Sequence, residues 1–251
     1  MGIKNKNLSA KDRIVLALDT DSLEEVERLV TTLKDYVGLF KVGPQLFTSC
    51  AYEAIELIQK LGADVYFDGK FHDIPSTVAK ASSNLIKRGV TTFSAHLAGG
   101  SKMLTTTVKV AKETAKKYDM PEPTILGVTL LSSFGQRTLT EELNVKMNID
   151  EYVSHLASLA RESKIDGVIA SASEARKIRK EFSDEFVILC PAIRPTWSVV
   201  NDQIRVVTPA DAIRAGVDYM VVGRPITAAD DPIAAANLII DEIEEASKVI
   251  L

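Results

Sequence analysis

The sequence predicts an α/β protein folded as one (β/α)8 barrel, and three observations carry that prediction. Short β-prone runs alternate with amphipathic helical stretches about eight times. The first run, Ile14 to Leu18, is apolar throughout, the pattern of a parallel strand buried on both faces. The length, 251 residues, is close to the roughly 250 that a single barrel of this kind needs. Eight regular βα units close naturally into a TIM barrel. An open doubly wound sheet is the alternative, but no G-x-G-x-x-G follows the first run. A P-loop is missing too, since Gly69-Lys70 is followed by Phe71 and Asp64 stands where its first glycine belongs. One domain is expected over 1–251, with 1–12 a polar N-terminal extension.

The first run is Ile14 to Leu18, ending at Asp19. Ser22 and Glu25 then predict a capping box, and Leu23, Val26, Leu29, Val30 and Leu33 fall on one helical face. The second run, Leu39 to Gly43, precedes a helix carrying Ala54, Ile55, Leu57, Ile58 and Leu61. The third, Ala63 to Phe67, reaches Asp68-Gly69-Lys70, with a helix after Pro75 carrying Val78, Leu85 and Ile86. The fourth, Val90 to Ala95, ends at His96; beyond Gly99-Gly100 a helix runs through Met103, Leu104 and Val108. The last four runs are Thr124 to Thr129, Gly167 to Ala170, Phe186 to Leu189 and Tyr219 to Val222. Two connections, 131–149 and 190–209, exceed the usual βα length, as lids and binding segments do.

Composition narrows the function classes. The formal charge is −4, which lacks the electrostatic footprint of a nucleic-acid binder, so an anionic ligand must be caught by a local cluster. Only Cys50 and Cys190 are present, too few for a disulfide framework, and no C-x-x-C occurs. Reduced thiols, a polar start without an apolar signal region and Lys6 in place of a myristoylation hydroxyl all point to the cytoplasm. No apolar run approaches the ~18 residues of a membrane span. The three histidines show no metal-ligand spacing. His72 faces away from Lys70 by strand parity, His96 lies at the rim, and His155 belongs to a solvated helix face. Met103 fits a core stripe, and Trp197 either covers the site or packs its loop.

The active face of such a barrel lies at the strand C-termini. The polar residues there are Asp19, Lys41, Asp68, Lys70, Asp73, His96, Ser132, Arg194, Gln203 and Arg224. Period-two alternation puts Asp68 and Lys70 on the same side of the third strand. Buried charges persist only when paired, so an alternating Lys–Asp array is consistent, either as a catalytic centre or as a structural ion-pair network. Gly223-Arg224 ends the eighth run, where barrels often hold phosphate, and a guanidinium fork suits a phosphate dianion.

The segment Asp68-Gly69-Lys70-Phe71-His72-Asp73-Ile74-Pro75-Ser76-Thr77 resembles the D-x-K-x-x-D-I-P-x-T signature of the orotidine 5′-phosphate decarboxylase family. The similarity extends to Leu16 to Asp19, Phe40 to Gly43, Val128 to Ser132, Pro191 to Pro195 and Val221 to Ile226, in the family's order and over nearly the whole chain. It departs at Gly69, where leucine is common and whose small size is expected to loosen the strand end. It departs again at Cys190 and Ala192, where Thr and Gly are common.

The resemblance implies conversion of orotidine 5′-monophosphate to UMP and carbon dioxide, the last step of pyrimidine nucleotide synthesis, with no metal and no organic cofactor. It implies Lys70 as proton donor at C6, Asp68 beside the departing carboxylate, and Lys41 and Asp73 completing the charge array. Asp73, Ile74 and Thr77 would reach into a neighbouring subunit's site, which implies a homodimer. Asp19 would bind the ribose, Ser132 the pyrimidine amide edge, and Arg194, Gln203, Gly223 and Arg224 the phosphate. Magnesium-dependent 3-keto-L-gulonate 6-phosphate decarboxylases and hexulose-phosphate synthases share D-x-K-x-x-D but carry an acidic ligand where this chain has Lys41, whose charge would repel Mg²⁺. A catalytically silent nucleotide-binding barrel is the rival of another class.

Overall fold

In a computed structural model, which describes residues 8–182, 186–198 and 207–248, eight parallel strands close into a barrel in sequence order, β1 pairing with both β2 and β8. The strands are β1 (Ile14–Ala17), β2 (Leu39–Val42), β3 (Val65–Phe71), β4 (Thr92–His96), β5 (Thr124–Val128), β6 (Gly167–Ile169), β7 (Val187–Cys190) and β8 (Tyr219–Val222). Every residue of β1, β2 and β5 is buried. Their runs are mostly apolar for that reason, one face filling the barrel and the other meeting the helices, with Lys41 the charged exception near the end of β2.

The helices are α1 (Leu23–Leu33), α2 (Pro44–Lys60), α3 (Pro75–Lys87), α4 (Gly100–Lys117), α5 (Ile149–Glu162), α6 (Ala172–Glu181), α7 (Pro209–Arg214), α8 (Arg224–Thr227) and α9 (Pro232–Lys248). Proline at the first position of α2, α3 and α7 starts each without wasting a hydrogen bond. The stripe Val26, Leu29, Val30 and Leu33 of α1 is buried, as expected. Its N-terminus is only half a capping box. Ser22 Oγ accepts from Glu25 N at 3.3 Å, but the Glu25 carboxylate turns to Arg28 Nε and Nη2, both at 2.7 Å, because a bidentate guanidinium outcompetes a backbone N–H. Full capping boxes form instead at Asn148/Glu151 and Ser171/Glu174.

Two packed regions result. The larger lies between barrel and helices, with Leu16, Phe40, Ile55 and Leu85 among its members. The smaller fills the barrel with Val15, Leu39, Tyr66, Leu126, Leu189 and Val221. Packing the barrel interior leaves only its upper end for chemistry.

Local patterning missed two features. Helix α2 kinks at Ala51 (φ 48°, ψ −138°). Gln45 Nε2, Ser49 Oγ and Cys50 Sγ all reach Asp21, which ties the first turns of α2 to the loop after β1. The connection 131–149 contains a π-helical turn, Thr138–Glu142, anchored by the buried Leu139. The other long connection is pinned where it is described, Arg194 N donating to Val207 O at 2.9 Å.

Candidate active site

The charged residues at the upper ends of the first three strands form two ion pairs. Lys41 Nζ lies 3.1 Å from Asp19 Oδ1. Gly43 makes room for this pair, since a Cβ there would stand 3.0 Å from Lys41 Nζ. Gly223 borders the same carboxylate: its Cβ would come within 3.9 Å of Asp19 Oδ2. The second pair joins Lys70 Nζ to Asp68 Oδ2.

Asp68 and Lys70 converge, but not by simple alternation. The β3–β4 register shifts between Phe67 and Phe71, and Lys70 takes a left-handed backbone (φ 45°). That conformation costs an L-residue about 1–2 kcal/mol. Gly69 lies within that register shift. A Cβ there would lie 2.2 Å from Phe67 Cε1, so the Phe67 ring fills the space a side chain would need, packing edge-on against Phe47 at 5.0 Å. The small residue permits the bulge, and the bulge delivers the lysine.

Asp68 is buried and both its carboxylate oxygens are bonded. Tyr66 Oη and Ser94 Oγ both donate to Oδ1 at 2.8 Å. Burial pushes the Asp68 carboxyl up, but the Lys70 charge and hydrogen bond, then the Lys41 charge and the Ser94 bond, hold it below the ordinary value. Burial, then the Asp68 charge, raises Tyr66 well above a normal phenol, so it remains a donor. Lys70 keeps 32% of its side chain exposed, turned to the barrel mouth. His96 is half-buried, its ring 5.3 Å from that of His72; burial, then the neighbouring His72 and Lys70, lowers its pKa. His155 is exposed and Met103 is buried.

A second cluster lies after β7 and β8. Arg194, Trp197, Ser198, Arg224, Pro225, Ala228, Ala229 and Asp230 line a cavity of about 520 Å³. Arg194 is buried, whereas Trp197 is exposed along the cavity wall. Ala192, at the root of this loop, is left-handed (φ 63°), the conformation glycine adopts without cost. The Cys190 thiol, buried at the end of β7, is pushed up to about 12 by burial and then by the Glu174 charge, which makes it inert. Gln203 lies outside the described residues.

The remaining predicted residues stand apart. Asp73 Oδ1 accepts from Ile74 N at 2.5 Å, and among the described residues no ion pair joins it to either lysine. Ile74 is 64% exposed, and Thr77 and Ser132 are exposed as well. Sequence reasoning missed Tyr66, Ser94 and Gly43. The signal for the first two is parity: each lies two residues before a rim residue, Asp68 and His96, on the same strand face. No group of three or more His, Cys, Asp or Glu able to hold a metal occurs among the described residues.

Comparison with known proteins places these features in context. The model of the orotidine 5′-phosphate decarboxylase / HUMPS family matches residues 12–239. An orotidine 5′-phosphate decarboxylase of Moorella thermoacetica is 45% identical over 237 residues, 94% of each chain. One of Geobacter metallireducens is 44% identical over 234 residues, 93% of this chain and 97% of its own. The crystal structure of an orotidine 5′-phosphate decarboxylase from Lactobacillus acidophilus superposes with a TM-score of 0.79 at 33% identity, covering 92% of this chain and 98% of the other.

Proposed function

The chain belongs to the orotidine 5′-phosphate decarboxylase / HUMPS family, and from that premise we propose that it decarboxylates orotidine 5′-monophosphate to UMP without a metal, using Lys70 as the proton donor. The observation that carries this reading is the Asp68–Lys70 pair: an ionised, buried carboxylate aiming a partly exposed ammonium into the barrel mouth. The bond from C6 to the carboxylate breaks, carbon dioxide leaves, and the electron pair stays on C6. The ammonium of Lys70 stabilises that developing charge and then transfers a proton to it, and solvent restores the lysine. Asp68 holds the lysine ammonium at the barrel mouth through their ion pair.

Lys41 anchors Asp19, the group assigned to the ribose. Arg194 and Arg224, with Gly223 and Gln203, take the phosphate, and Ser132 the amide edge of the ring. Phosphate binding energy then assembles the charged site, so that a remote group lowers the barrier. Asp73, Ile74 and Thr77 complete the site of a second subunit. Their exposure at the start of α3, apart from this chain's own lysines, supports a homodimer with shared sites. Reduced thiols support a cytoplasmic enzyme. Among the described residues no helix is long and apolar enough to cross a membrane.

The magnesium-dependent branch fits these residues poorly, because the Lys41 ammonium occupies the position beside Asp19 where a divalent ion would need a ligand. The test is loss of the orotate chromophore with and without EDTA. Equal rates, with one UMP and one carbon dioxide formed per substrate, are expected. No turnover, or turnover that requires Mg²⁺, overturns the assignment.

A further inference from the structure

One buried hydroxyl touches both members of the pair at the barrel mouth. Ser94 Oγ donates to Asp68 Oδ1 at 2.8 Å and accepts from the backbone N–H of Lys70 at 3.0 Å. Ser94 is 0% exposed. The N–H it binds belongs to the residue held at φ 45°. Tyr66 Oη, fully buried one layer deeper, donates to the same Oδ1 at 2.8 Å. With Oδ1 occupied by two neutral donors, Oδ2 is left for the ammonium, and rotation of the carboxylate would break two buried bonds. The β3–β4 register shifts between the pairs Phe67–Phe93 and Phe71–Ala95, and inside that interval the Lys70 N–H is held by the Ser94 hydroxyl.

We propose that Ser94, assisted by Tyr66, is the positioning residue of the Asp68–Lys70 pair, fixing the rotamer of the carboxylate and the left-handed backbone of the lysine from inside the barrel before substrate arrives. The proposal deepens the decarboxylase reading and rests on it. Neither residue reaches the reacting atoms. Both act through Asp68 and Lys70, so their removal lowers turnover without weakening the grip on the nucleotide.

The test compares Ser94→Ala, Tyr66→Phe and the double variant in kcat, KM, competitive inhibition by UMP, thermal midpoint and pH profile. Misplacement of a reacting group by about an ångström costs up to about a hundredfold, so Ser94→Ala is expected to lower kcat at least tenfold, with UMP inhibition changed by less than about twofold. Tyr66→Phe, which preserves ring volume, is expected to lower kcat at least about fivefold. The double variant should lose less than the product of the singles, since both hydroxyls serve one oxygen. Loss of donors to the charged form also moves the acid limb of the kcat profile to higher pH, with Lys70, Lys41 and His96 the other titrating groups that face Asp68. A structural role alone would lower the thermal midpoint and leave that limb in place.

Smaller losses in kcat overturn the proposal, as does a fall in UMP affinity that matches the fall in turnover. If Ser94→Ala does not fold, Tyr66→Phe decides by the same criteria. Lys70→Ala separates the two readings. If it retains turnover, the proton-donor reading fails and this inference with it; if it is inactive while both hydroxyl variants are normal, only the inference fails.

Discussion

Two aspartate–cation pairs lie at opposite ends of the barrel, and their partners differ. At the base, Arg179 Nη2 bonds Asp218 Oδ2 at 2.6 Å. The same guanidinium donates to Gly216 O through Nε and Nη2 and to Phe186 O through Nη1, and Asp218 also accepts from Ile188 N at 2.8 Å. A planar fork spends its donors on backbone carbonyls and clasps the starts of β7 and β8 together. At the mouth, Lys70 has three donors and Asp68 is its ion-pair partner, so the ammonium retains capacity for a ligand. The carboxyls respond in opposite directions. Burial outweighs Arg179 and raises Asp218, whereas at Asp68 two lysines outweigh burial and lower it. A saturated pair holds structure, and an unsaturated one is available for chemistry.

Substitutions at each end test that division. Lys70→Ala should produce the largest effect, a loss on the order of 10⁴-fold in kcat, with binding of UMP still measurable by titration. Near-normal turnover would remove the functional half of the comparison. Arg179→Ala should do the reverse. It leaves a partly buried carboxylate without its guanidinium partner and is expected to cost about 1–3 kcal/mol of stability, read from denaturant unfolding, while kcat of the folded fraction stays at the parent value. A drop in kcat without unfolding would show that the base is coupled to the mouth.

Arg224→Ala sharpens the picture within the mouth. The expected loss in kcat/KM for the nucleotide is about 10²–10³-fold, the scale of the charge-assisted bonding to phosphate that the proposed function gives Arg224. Turnover of the corresponding nucleoside should barely change. Equal losses on both substrates would remove Arg224 from the phosphate site. The smallest effect is expected from Ala192→Gly. Relief of the left-handed backbone (φ 63°) should raise stability by about 0.5–1 kcal/mol after the greater unfolded-state freedom of glycine is counted. A lower denaturation midpoint in this variant would mean that the loop after β7 gains nothing from the change.

Much of the barrel was legible in the chain, and the physical reason is burial. A parallel strand covered on both faces is apolar at most of its positions, so Ile14 to Leu18 or Tyr219 to Val222 announces itself locally. Helix stripes such as Val26, Leu29, Val30 and Leu33 follow from one buried face and a period of 3.6. The charged side chains of the mouth were legible too, because Asp19, Lys41, Asp68 and Lys70 end such strands. What the sequence did not disclose depends on residues far apart in the chain meeting in one register. Ser94 reaches Asp68 and Lys70 across 26 and 24 positions, and Arg179 reaches Asp218 across 39. The bulge at Lys70 and the kink at Ala51 likewise lie where tertiary bonds meet the chain, from Ser94 to the one and from Asp21 to the turns before the other. Composition and spacing therefore determined the elements and the charges at their ends. Closure of the barrel decided which carboxylate is clamped, which lysine is aimed, and which arginine is spent on structure, since hydrogen-bond geometry exists only once the strands are side by side.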